Sequence, residues 1–172
     1  MNAPDLQHRQ AFMPSLIDRL LDNAPQRAAE HPDAYAPDGE GMRRVIQRDL
    51  SLLLNTTSFE DELDMTRHAV AAGSVINYGI PALSGHYLNN RNWETVEKMV
   101  RTAITRFEPR LMSESLHIRP LNREDPIRYN RLILEISGLM HWSPYPLEFR
   151  MQSAFDIEMN QVTCDTDCRW ER

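Results

Sequence analysis

Apolar residues recur at helical spacing in two long stretches of the chain and at alternate positions in a third. Met42, Val45, Ile46, Leu50, Leu53 and Leu54 share one side of a helix whose other side carries Arg43, Arg44, Gln47 and Arg48. Trp93, Val96, Val100, Ala103, Ile104 and Phe107 form a second stripe. Asn92 is placed to cap that helix, Glu97 lies one turn before Arg101, and Pro109 ends it. Beyond Pro109 the period falls to two. Leu116 and Ile118 alternate with His117 and Arg119, and Leu132, Leu134 and Ile136 repeat the pattern. Leu147, Phe149, Met151 and Phe155 then lie opposite Glu148, Arg150, Gln152 and Asp156, after a reversal over Trp142 to Pro146.

Helices followed by three consecutive strands with short connections predict an α+β fold: a three-stranded antiparallel C-terminal sheet packed by helices. An N-terminal helical arm precedes it. Ser15 can cap a short helix bearing Leu16, Ile17, Leu20 and Leu21, and Pro25, Pro32, Pro37, Gly39 and Gly41 then mark a tether. The division expected is an arm over residues 1–41, one domain over 42–160 and a polar tail over 161–172. Between the helices, Ser58 to Asp64 reads as a solvated acidic turn and Arg67 to Tyr87 as a structured loop rich in turn formers.

A length of 172 residues suits a single core, and 41% hydrophobic with 26% charged residues suits a folded one. Nineteen basic against 25 acidic residues, a formal charge of -6, disfavours nucleic acid and anionic lipid as partners. No stretch reaches the roughly 18 apolar residues of a membrane helix. Met1 to Gln10 is polar where a signal peptide would be apolar, so a cytoplasmic protein without direct membrane insertion is expected. Cys164 and Cys168 read as reduced thiols in the tail. His8, His31, His68, His86, His117 and His141 have no ligand spacing, so neither a metal nor a cofactor is expected.

The chain has no G-x-S-x-G elbow, H-E-x-x-H, P-loop or G-x-G-x-x-G. Glu108, Glu114 and Glu135 could supply the paired acids of a glycosidase, held about 5–9.5 Å apart. Arg110, two residues after Glu108, suits that acid poorly to proton donation. Phe107-Glu108-Pro109-Arg110-Leu111 places an acid, a rigid turn and a base between two apolar residues where helix gives way to strand. Such a corner is either a helix stop with a surface ion pair or a charged anchor for a partner.

The segment WETVEKMVRTAITRFEPRL at 93–111 resembles the baseplate wedge family of contractile phages and its type VI secretion counterpart, the TssE family. MPSLIDRL at 13–20 and SVINYGIP at 74–81 are similar to the same family, so the likeness spans most of residues 13–158. What the resemblance implies is a structural baseplate subunit and not an enzyme. Its partners would be the wedge proteins TssF, TssG and TssK and the sheath subunits TssB and TssC. The resemblance makes Glu108, Pro109 and Arg110 the motif residues, and Leu111 beside them is an expected partner contact. A sheet that receives strands from the first sheath ring is also implied. The candidate edge is Leu147 to Ile157, with Leu147, Phe149, Arg150 and Met151 as contact residues and Glu148, Arg150, Asp156 and Glu158 as its guards. Leu16, Ile17 and Leu20 are the expected clamp on a wedge neighbour. The alternatives are a peptidoglycan glycosidase of lysozyme-like kind and a free-standing protein-binding adaptor.

Overall fold

Asp38 opens the first long helix. Its backbone is extended, with φ -70° and ψ 178°, and its carboxylate accepts from the Gly41 amide at 2.7 Å. The computed structural model describes residues 15–20, 25–26, 37–60, 62, 64, 66–82, 93–121, 127–128, 131–156, 159 and 161–165. Its helices are α1 (Leu16–Leu20), α2 (Gly39–Leu54), the short α3 (Ala69–Ala72) and α4 (Trp93–Phe107). Helix α2 thus begins inside the stretch expected to be tether: the Asp-Gly-Glu-Gly run that reads as a breaker is a cap and a first turn. A Cβ at Gly39 would lie 2.6 Å from Leu147 Cδ1, so a larger residue there would have to turn that side chain aside.

The strands are β1 (His117–Pro120), β2 (Ile127–Arg128), β3 (Arg131–Met140), β4 (Leu147–Asp156) and β5 (Gln161–Asp165). Their order is β1-β3-β4-β5, with β2 pairing the start of β3, and every pairing is antiparallel. The β3–β4 hairpin is in register from Arg131↔Asp156 to Met140↔Leu147. Ile118, Leu132, Leu134, Ile136, Phe149, Met151, Phe155 and Val162 face the helices. They form one core with Met42, Ile46, Leu50 and Leu53 of α2 and Val96, Val100 and Ile104 of α4. Each fully buried side chain of this kind stabilises by about 1.5–3 kcal/mol.

Two expectations are corrected here. The sheet has more than three strands, because Gln161–Asp165, expected in the polar tail, pairs with β4 from Gln152↔Asp165 to Asp156↔Gln161. Strand β4 is therefore interior over its second half, Gln152–Asp156, and only its first half, Leu147–Met151, remains at the sheet's edge. The physical reason is that β5 needs only Val162 and Cys164 on the core side, an alternation too short to stand out. The borders are β1, where Pro120 lacks an amide to offer a neighbour, and on the other side β5 together with the first half of β4.

The loop between α2 and α4 is held by buried polar contacts. Asn77, 1% exposed, accepts from the Phe59 amide at 2.9 Å and donates to the Ala72 carbonyl at 3.0 Å. Residues 83–92, including the Asn92 cap, lie outside the described residues.

Candidate functional site

Helix α4 ends at Phe107, and the next four residues turn the chain into the sheet. Pro109 cannot continue the helix. Arg110 O accepts from the His141 amide at 2.8 Å and Met112 N donates to Leu139 O at 2.8 Å, so the turn is fastened to the far end of β3. Glu108 points inward and is 3% exposed. Arg110 lies over it: Nε donates to Glu108 Oε1 at 2.6 Å and Nη2 to Oε2 at 2.5 Å, a two-pronged pair that planar guanidinium geometry favours.

The same Nη2 donates to Asp49 Oδ2 of α2 at 2.7 Å. Asp49 Oδ1 in turn accepts from Arg48 Nη2 at 2.7 Å, and Arg48 reaches Asp18 of α1 through two bonds, one of 3.0 Å. Glu108, Arg110, Asp49, Arg48 and Asp18 therefore form one ladder from the corner through α2 to the N-terminal helix. Burial lowers the Arg110 pKa, but the hydrogen bonds to Glu108 and Asp49 outweigh it and hold it above the ordinary range. Asp18 moves the other way: chiefly through Arg48, its pKa is lowered from 3.8 to about 2. Tyr78 closes the corner, its ring edge-on to Phe107 with centroids 5.1 Å apart. Burial first, then the Asp49 and Glu108 charges, raise the Tyr78 phenol above 10.0.

The expected site residues are scattered by this geometry. Pro109 is exposed, and Arg110 keeps 29% of its side chain exposed. Leu111 is 5% exposed, and Phe149 and Met151 are at 1% and 0%, so their side chains belong to the core. Leu147 is half-buried and Arg150 is exposed on the open face of the sheet. Leu16 and Leu20 are 67% and 74% exposed, while the side chain of Ile17 lies outside the described residues. The sequence reading missed Asp49 and Arg48 as site residues. Their only signal was a charged pair at the border of an amphipathic helix, which reads as ordinary solvated surface.

The candidate acids are separately committed. Glu108 is bound by Arg110. Glu135 is 5% exposed on the open face, where its Oε1 accepts from Arg119 Nε at 3.0 Å and Nη2 at 2.7 Å, with Arg150 4.0 Å away. Glu114 is exposed on a single 3-10 turn. Among the described residues, no group of three or more His, Cys, Asp or Glu could hold a metal, and no helix is long and apolar enough to cross a membrane.

Fold and corner together define a class of small α+β domain in which a helix passes into an antiparallel sheet through an ion-locked Glu-Pro-Arg turn. Residues 40–145 match the family described as baseplate wedge protein gp25, and the chain belongs to that family, which contains the TssE subunits. The matched span holds α2, α4, the corner and β1 to β3, and it stops before β4. Comparison with curated proteins and with solved structures returns no match.

Proposed function

We propose that this protein is the TssE-type subunit of a cytoplasmic type VI secretion baseplate, a structural part that docks wedge proteins and templates sheath growth. Membership of the baseplate wedge family supports a structural role in a contractile injection system. The observation that carries the finer reading is the lock of Arg110 between Glu108 and Asp49. A corner so fastened has one geometry, and it presents Pro109 and part of Arg110 to a neighbour. Arg110 Nη1 donates to none of the described residues, which leaves a charged donor for a partner carbonyl or carboxylate.

On this reading TssF, TssG and TssK meet the corner and the exposed Leu16 and Leu20, and strands of TssB and TssC add to the sheet at the β5 border by main-chain pairing. No turnover is needed, because the two buried acids are each held by arginine. The test is purification of the tagged chain from cells that assemble the machine. Recovery of wedge proteins at fixed stoichiometry is expected. Peptidoglycan release by the pure protein, abolished by Glu108→Gln, would instead favour a glycosidase.

A further inference from the structure

Arg43, Gln47, Ser51 and Asn55 follow at intervals of four and run down one side of α2. Three of the four hydrogen-bond the backbone of the sheet border on the β5 side. Arg43 Nε donates to Glu148 O at 2.8 Å and Gln47 Nε2 to Arg150 O at 3.3 Å. Ser51, the third of the four, lies next to the partly buried Cys164 thiol. Asn55 Nδ2 donates to Val162 O at 2.8 Å while its Oδ1 accepts from Val162 N at 2.9 Å. That pair of bonds is what a residue of a neighbouring antiparallel strand would make.

The spacing explains why a helix can do this. Four helical residues advance about 6 Å. Two strand residues advance about 6.6 Å, and outward-pointing backbone groups of a border strand recur every two residues. The stripe therefore steps in time with the border, past Glu148 and Arg150 of β4 and then, because β5 runs antiparallel, past Cys164 and Val162. Asn55 is not required by its own backbone, whose φ of -92° is ordinary right-handed geometry. Its second amide hydrogen goes to Ser51 O at 2.8 Å, so the side chain is fully used and fixed in orientation.

We infer that this stripe stands in place of a neighbouring strand and keeps the β4/β5 border closed to strand addition until Asn55 is displaced. The inference rests on the strand-addition reading for its purpose, and the latch itself belongs to the isolated chain. An extended polypeptide is the ligand it excludes, and a second copy of this chain, pairing β5 with β5, is the probe.

The full chain is compared with its Asn55→Ala, Asn55→Gly and Asn55→Asp variants. Hydrogen exchange at the Val162 amide is read at low concentration, and sedimentation equilibrium at rising concentration. Exchange about threefold to tenfold faster is expected in the Ala and Gly variants, as one net hydrogen bond is lost. Those variants should also self-associate as concentration rises, whereas the wild type stays monomeric. Asn55→Asp sets an acceptor-only carboxylate against the Val162 and Ser51 carbonyls, so exchange should quicken there too, while its charge on the border should keep that variant monomeric. Unchanged exchange in both Ala and Gly variants, or fast exchange in those two with no association at any concentration, would overturn the latch. Neither readout involves a sheath, so the baseplate reading stands or falls separately.

Discussion

Burying the Glu108 carboxylate to 3% exposure requires a counterion, and Arg110 supplies it with two short bonds. Removing only the arginine leaves the charge buried and unpaired. Arg110→Ala should therefore lower unfolding free energy in urea by about 3–5 kcal/mol, and Glu108→Leu with Arg110→Met should recover most of that loss. A double variant as unstable as the single would refute the coupling. At Asp18 the shift carries a sign. A carboxylate with a depressed pKa adds stability above its unfolded value and loses it as pH falls through the folded one. With values of 3.8 and about 2, docking of α1 on Arg48 is complete above about pH 4 and lost near pH 2. Carbon NMR of the Asp18 carboxyl should give a midpoint near 2 that returns toward 3.8 in Arg48→Met; an ordinary midpoint in the wild type would contradict the pair. Glu108 and Arg110 were legible because Pro109 forces them into a turn. Asp49 was not, since only the tertiary approach of α2 shows that it faces Arg110.

Among the elements, α2, α4 and the β3–β4 hairpin were legible from period alone, because each buries one continuous face. What periodicity missed has local causes. Asp38 capping hid the start of α2, and β5 offers too few core positions to announce itself. The turn at Gly79 was legible as a turn, though not its partner. Ser58 N donates to Ile80 O and Ile80 N to Thr56 O, both at 2.9 Å, tying this loop to the residues after α2. Gly79 sits at φ +123°, and a Cβ there would lie 2.2 Å from Thr56 O. Gly79→Ala should cost at least about 1–3 kcal/mol by backbone strain, read as a lowered Tm; an unchanged Tm would show that the loop is not fixed to α2.

On the scale of the whole molecule, one core joins both long helices to the sheet, so local damage spreads. Phe149, 1% exposed in β4, touches that common core, and Phe149→Ala should cost about 3–5 kcal/mol in equilibrium unfolding. A cost under about 1 kcal/mol would mean that β4 is not part of the cooperative unit. The opposite face of the sheet carries Arg119, Glu135 and Arg150 and is left bare by the described helices. That charged face is set apart from the core that holds the domain together. Arg110→Lys keeps the charge over Glu108 but cannot grip both Glu108 and Asp49 as a planar guanidinium does. The most direct measurement is the count of fluorescent sheaths in cells whose only copy carries Arg110→Lys, with protein abundance followed alongside. Normal abundance with few or no sheaths is the expected result; sheaths at the wild-type number would contradict a docking role for the corner.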